Sequence, residues 1–194
     1  MKIKGVGKHN ELIHTAKYIK SIVYGGLDGT ITTFAIVAGV AGAALSANIV
    51  LILGFTNLIA DGISMAAGDY LSTKSEIESH KNKMLWKSKK IRERFRLFDK
   101  SKSPMKNATM TFIAFVIFGF IPLLVYVLQF FYSNISNAFG ISVVLTLLAL
   151  FVLGSVKSRI TDQNWLKSGV ETLIIGGIAA SAAYGIGFWI ASIV

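Results

Sequence analysis

The sequence has no cysteine and little charge. Of its 194 residues, 15% are charged and only two are proline. The lack of cysteine excludes disulfides, iron–sulfur clusters and thiolate zinc sites, because each of these needs cysteine sulfur. In place of charge the chain is 53% hydrophobic, with a mean hydropathy of +0.60. This composition indicates an integral membrane protein.

Five apolar segments make up most of the chain. Each reaches the ~20 residues that a helix needs to cross the hydrocarbon core, and a helix satisfies its own backbone groups in lipid. The predicted spans cover about 21–46, 48–73, 108–132, 137–156 and 170–194. We therefore predict an all-α integral membrane protein: one membrane domain, 1–194, with five transmembrane helices.

The Lys and Arg residues all fall on one side of these spans. Five lie in 1–20, twelve in 74–106 and three in 157–167, which accounts for all 20. Cytoplasmic loops of membrane proteins carry the excess of Lys and Arg. We expect a cytoplasmic N-terminus, no removable signal peptide, and a C-terminus outside the cell or in a lumen. The net charge of +10 is then explained by topology, without a nucleic acid partner.

The basic segment 74–106 has two open interpretations. Its larger apolar residues have near-helical spacing; they are Met84, Ile91, Phe95 and Phe98. The segment is either a solvated cytoplasmic connector or an amphipathic helix that lies on anionic lipid.

Acidic residues occur inside the first two predicted spans. An ionisable side chain at the bilayer centre costs roughly 2.5–3.5 kcal/mol. Asp28 lies in the first span, and no Lys or Arg lies at its depth. The second span carries a stripe of residues four apart, which share one helix face: Asn57, Asp61, Met65 and Asp69. Either protons or a mobile cation must neutralise these carboxylates.

The stripe combines hard and soft donor atoms. Carboxylate oxygen with thioether sulfur suits a first-row divalent ion better than Mg²⁺ or Ca²⁺, which prefer oxygen alone. Asp28, Asp61 and Met65 are therefore candidate ligands along an ion path, with Asn57 beside them. Two alternatives stay open: Met65 fills space in a helix, and Asp61 is a protonated helix–helix anchor or a proton carrier.

A possible cytosolic metal entrance follows the stripe. Glu76 and His80 are again four residues apart, past the end of the second span. The candidate entrance residues are Asp69, Glu76, Glu78 and His80. The alternatives are a solvated helix surface for the last three and a solvated cap for Asp69.

Small residues line the first span at the spacing that lets helix backbones approach closely. They are Ala35, Gly39, Gly42 and Ala43. They indicate either packing within one bundle or the seam of a homodimer.

The sequence carries no recognisable enzyme motif. The glycine-rich YGGLDGT lies in a membrane span, outside the strand-to-helix context that phosphate-binding loops need. We expect no enzymatic activity and no permanently bound cofactor.

Three stretches resemble the vacuolar iron transporter family: DGTITTFAIVAGVAGA (28–43), GFTNLIADGISMAAGDYLSTKSE (54–76) and SGVETLIIGGIAASAAYGIG (168–187). The resemblance implies a dimer of five-helix protomers that exports cytosolic Fe²⁺, often also Mn²⁺, in exchange for protons. It implies an ion path between the two first helices, lined by Asp28 and Met65. Asn57 stands where the family often has glutamate.

The segment 74–106 departs from the family pattern. Many members have a glutamate-rich, metal-binding domain there, whereas this chain has 33 mostly basic residues, as in the nodulin-like branch. Two other functions therefore stay open. One is a non-transporting membrane protein that binds anionic lipid or a cytosolic partner through this segment; the other is a transporter of a different substrate. The membrane would be the cell membrane in a prokaryote and a vacuolar-type membrane in a eukaryote.

Overall fold

The computed structural model describes residues 5–84, 103–132, 135–161 and 163–194, with side chains from residue 19 to 81 and onward from 103 except 133–134, 160 and 162. Within these ranges the chain forms helices and no strand. The helices are α1 (Gly5–Gly42), α2 (Ala47–Met84), α3 (Pro104–Phe131), α4 (Ala138–Thr161) and α5 (Trp165–Ala191). All five are long and apolar enough to cross a membrane, which confirms the predicted spans. Most of the basic segment lies outside the described residues.

Two helices are longer than the apolar runs that predicted them. α2 continues to Met84, beyond the predicted edge at 73, because Lys, Glu and Met are good helix formers whether or not they lie in lipid. α5 begins at Trp165 instead of near 170. There the Asn164 side chain accepts a hydrogen bond from the Leu166 N–H at 3.0 Å and caps the helix.

α1 is the central helix and packs against each of the other four. Glycines on two of its sides let neighbouring backbones touch it directly. A Cβ at Gly29 would collide with the Phe115 carbonyl on α3, and a Cβ at Gly42 would collide with the Tyr184 carbonyl on α5. The hydrophobic core surrounds these contacts and includes Phe34, Val37, Val40, Leu58, Phe115 and Leu123.

Pro122 lies inside α3, where it cannot donate a backbone hydrogen bond. The Phe118 carbonyl therefore lacks its usual helix donor. The Thr30 hydroxyl of α1 lies 3.3 Å from that carbonyl, while it donates at 2.7 Å to Gly26 in its own helix. Ser142 of α4 donates to the Pro122 carbonyl at 2.7 Å. Neighbouring helices thus supply the hydrogen bonds that the proline disrupts, as lipid requires.

Side-chain contacts bring the basic parts of the chain to one end of the bundle. Ser21 of α1 bonds Asp69 of α2, and Asn107 of α3 bonds Thr73 of α2. Ile19 lines a groove together with residues from the end of α4 and the start of α5. We call this the basic end; its described cations are Lys20, Lys74, Lys81, Lys106, Lys157, Arg159 and Lys167.

Candidate functional site

Asp28 of α1 and Asp61 of α2 form a carboxylate pair between the first two helices. Their charges interact, so the two groups lie near each other in space. Both side chains are partly buried. Among the described residues, neither carboxylate has a printed hydrogen-bond donor or cation beside it. Two unneutralised carboxylates in a membrane helix hairpin require a proton or a cation.

Met65 lies one helical turn from Asp61 on the same face of α2. Its side chain is partly buried and packs against the hydrophobic core. The space-filling interpretation therefore describes part of what Met65 does. The exposed remainder leaves the thioether accessible beside the carboxylate pair.

Asn57 lies one turn from Asp61 in the opposite direction. Its Nδ2 atom is buried and has no hydrogen-bond partner among the described residues. Leaving a buried polar group unsatisfied costs about 1–3 kcal/mol, so such groups are rare outside functional sites and places where water binds. The Asn57 amide thus adds an unsatisfied polar group next to the carboxylate pair.

Asp69 has different surroundings from Asp61, although both lie on the predicted stripe. Its Oδ2 accepts hydrogen bonds from Thr111 of α3 at 2.6 Å and from Ser21 of α1 at 3.3 Å. Its Oδ1 accepts from Thr73 at 3.5 Å, and Thr73 in turn accepts from Asn107 at 3.4 Å. We call these five residues the Asp69 cluster. They connect α1, α2 and α3, so Asp69 is bonded within the bundle and is more than a solvated cap.

Sequence reasoning did not single out the partners of Asp69. Thr73, Asn107 and Thr111 are buried polar residues, and each lies within about three turns of the basic end of its helix. Polar residues at similar depth in separate apolar runs were the available signal. That signal does not say which of them meet, because the contacts join distant parts of the chain.

Glu76 and His80 lie together on the outer turn of α2. The Glu76 Oε1 and His80 Nε2 atoms are 3.9 Å apart. Glu78 is two residues from each, and such residues do not face each other on a helix. Within the described ranges, no three His, Asp or Glu side chains come together to hold a metal ion. A complete coordination shell would therefore need water or a second copy of the chain.

Three of the small residues in α1 contact α5 of the same chain. Gly42 lies against the Tyr184 backbone, and a Cβ at Gly187 would meet the Gly39 carbonyl and the Ala43 nitrogen. These residues therefore pack within the bundle. Ala35, one turn from Gly39 on the same face, is partly buried. Packing within one chain explains this pattern without a homodimer seam along that face.

Comparison with known proteins gives consistent matches. A model of the VIT family matches residues 19–96 and 78–188. A protein of Arabidopsis thaliana named vacuolar iron transporter 1 is 33% identical, over 91% of this chain and 88% of its own length. A vacuolar iron transporter of Toxoplasma gondii is 30% identical, over 95% of this chain and 78% of its own length. One from Plasmodium berghei is 29% identical over 84% of this chain.

Proposed function

Because the chain belongs to the VIT family, we propose that it is a proton-coupled exporter of divalent transition metal from the cytosol, with Fe²⁺ and also Mn²⁺ as substrates. The curated relatives are named as transporters of iron, and the chain accordingly is a membrane transporter and not an enzyme. Its membrane would be the cell membrane in a prokaryote and a vacuolar-type membrane in a eukaryote.

The observation that carries this proposal is the carboxylate pair of Asp28 and Asp61. Each charge interacts with the other, and a bound cation or bound protons would relieve the repulsion. Metal and protons therefore compete for the same oxygen atoms. Release of metal on the side with more protons follows from that competition, which gives exchange of metal for protons a physical basis.

Met65 and Asn57 would adjust the choice of ion. The Met65 sulfur is a soft donor, which favours Fe²⁺ and Mn²⁺ neighbours in the first transition row over Mg²⁺ and Ca²⁺. Asn57 is neutral where the family often has glutamate, so Asp61 would supply the charge from one turn away. The unpartnered Asn57 amide is in keeping with a position that faces a transported ion or its water.

A homodimer would complete the site. Asp28 and Asp61 are partly exposed on a single chain, and lipid would be a poor neighbour for them. A second copy, placed against this side of α1 and α2 by a twofold axis, would cover them and bring a second set of the same ligands. This arrangement also supplies the groups that one chain lacks within its described part.

The basic end would face the cytosol, where metal enters. Glu76 and His80 lie there at the end of α2, and with Glu78 and Asp69 they would be the first acidic and imidazole groups that an ion meets. The match to the Toxoplasma relative spans 236 positions, more than this chain has residues. Residues missing here, together with two family matches that overlap at 78–96, support a segment that lacks the glutamate-rich domain.

The test is metal uptake into proteoliposomes that contain the purified full chain. Initial rates would be measured for Fe²⁺ kept reduced, with Mn²⁺, Co²⁺ and Zn²⁺ as competitors, with and without an opposing proton gradient. We expect gradient-dependent uptake. Asp28→Asn and Met65→Leu should each lower the rate at limiting metal, by about tenfold or more for Asp28→Asn, since about 1.4 kcal/mol of lost binding is tenfold.

The matched control is Glu171→Gln, which removes an exposed carboxylate that pairs with Lys157 far from the carboxylate pair. It should transport like the unaltered chain. Equal rates for Asp28→Asn and the control would contradict the site. Uptake that ignores the proton gradient would contradict exchange. Folded protein that moves none of the four metals would favour a non-transporting protein or another substrate.

A further inference from the structure

A groove of about 1020 Å³ opens at the basic end, away from the carboxylate pair. It lies between α4, the start of α5 and Ile19 of α1. Its lining extends from Phe151 to Arg159 along α4, a distance of about 12 Å at 1.5 Å per residue. The groove therefore begins at the level of the apolar spans and ends where the chain turns between α4 and α5.

The lining of the groove changes from apolar to polar along this distance. Phe151, Val152 and Val156 line its inner part. Arg159 and the turn residues Gln163 and Asn164 line its mouth. An apolar chain attached to a polar, charged head matches this order of surfaces, and a bilayer supplies such molecules at this depth.

The mouth contains a cation that the bundle leaves available. Lys157 pairs with Glu171 at 3.6 Å. Arg159 is exposed and has no ion-pair partner among the described residues. A guanidinium group binds phosphate oxygens through two parallel hydrogen bonds. The charge at the mouth is thus suited to a phosphate group.

One wall of the groove is held in place by contacts within the chain. The rings of Phe151 and Trp165 pack edge to face, with centroids 6.1 Å apart. The Ser155 hydroxyl lies 3.4 Å from the Trp165 carbonyl and donates to it. Tryptophan is enriched at the membrane–water interface, where its ring lies at the level of lipid head groups. Trp165 therefore marks the depth at which a lipid head group would lie.

We propose that this groove binds one anionic phospholipid from the leaflet at the basic end. Its phosphate lies on Arg159, and one acyl chain follows Val152 and Val156. A phospholipid accounts for both parts of the lining, whereas a soluble phosphate would leave the apolar part uncovered. The site is separate from the ion path, so it stands or falls independently of the proposed transport.

The experiment measures lipid binding to the delipidated, full-length protein in detergent. Retained lipid is counted by native mass spectrometry, and the thermal midpoint is followed with added phosphatidylglycerol or phosphatidylcholine of equal chain length. We expect retention and a raised midpoint with phosphatidylglycerol only. Arg159→Gln should weaken binding by about tenfold, because a charged hydrogen bond contributes about 1.5–3 kcal/mol, and Arg159→Lys should restore part of it.

Two further variants separate charge from shape. Val152 is 55% exposed, so Val152→Trp fills the groove without disturbing the core, and it should lower retention with all charges unchanged. Lys106→Gln removes one cation at the same end of the bundle, outside the groove, and should bind phosphatidylglycerol like the unaltered chain.

The proposal is overturned if phosphatidylcholine binds equally well, or if Arg159→Gln binds phosphatidylglycerol as the unaltered chain does. Glycerol 3-phosphate serves as a competitor that carries the head group without a tail. We expect no displacement of the lipid by it. Full displacement would show a site for soluble phosphate and would also overturn the proposal.

Discussion

Two aspartates on one face of α2 differ because of the residues that other helices bring to them. Asp61 lies near Asp28, a second carboxylate. Asp69 accepts three hydroxyl hydrogen bonds from α1, α2 and α3. Their spacing of eight residues placed both on one predicted stripe. Spacing within a helix could not separate their roles, because the partners that decide them lie more than 30 residues away in the chain.

Asp69→Asn should destabilise the bundle. An aspartate accepts with both oxygens, but the amide has one donor in their place and leaves a hydroxyl of the Asp69 cluster without its acceptor. We expect the free energy of unfolding to fall by about 1–3 kcal/mol. The measurement is denaturant unfolding of the purified protein in detergent.

The comparison variant for Asp69→Asn is Glu78→Gln. Glu78 is an exposed acid on the same helix, so its substitution should change the unfolding midpoint little. If the two variants unfold at the same midpoint, the Asp69 cluster does not hold the three helices together.

The helices were predictable as elements, but their neighbours were not. The apolar runs predicted five spans, and five described helices contain them. The ends differ where another property decides them: the Asn164 cap starts α5, and polar helix formers extend α2 to Met84. Small residues in α1 predicted a close helix contact. They could not indicate that α5 of the same chain makes it, because spacing describes one surface only.

Gly29→Ala should weaken the packing of α1 against α3. The added methyl group would collide with the Phe115 carbonyl, a backbone atom that moves only if the helix moves. Overpacking of this kind typically costs about 1–3 kcal/mol. Thermal unfolding should show a lower midpoint for this variant than for the unaltered protein.

Gly177→Ala is the matched substitution for that experiment. A Cβ at Gly177 would have no neighbour within 4 Å, and alanine favours a helix over glycine by about 1 kcal/mol. Its midpoint should stay equal or rise. A fall of the same size in both variants would mean that glycine is needed for a reason other than close helix contact.

At the scale of the whole molecule, the bundle gathers charge at one end and leaves the other end neutral. Every described Lys and Arg side chain lies at the basic end, while Ser46 lies in the opposite turn between α1 and α2. Charge counting along the sequence predicted this grouping, and the contacts of Ser21 with Asp69 and of Asn107 with Thr73 account for it. Which side of the membrane each end faces stays a prediction.

The lack of cysteine makes that orientation simple to measure. A single cysteine introduced at Ser46 or at Lys81, both exposed, would be the only thiol in the chain. In sealed cells that direct the protein to the cell membrane, an impermeant thiol reagent should label Ser46→Cys and leave Lys81→Cys unlabelled, because Lys and Arg stay inside. Labelling of Lys81→Cys before the cells are opened would reverse the proposed direction of transport.

The backbone contacts of α1 also determine where the chain has freedom to change during evolution. Gly29 and Gly42 fix α1 against two neighbouring backbones, so a larger residue at either position displaces a whole helix. Gly54 and Gly62 of α2 lie against side chains of α3, which can adopt other rotamers. Descendants of this protein would therefore acquire a new metal preference through substitutions on α2 more readily than through substitutions around Asp28.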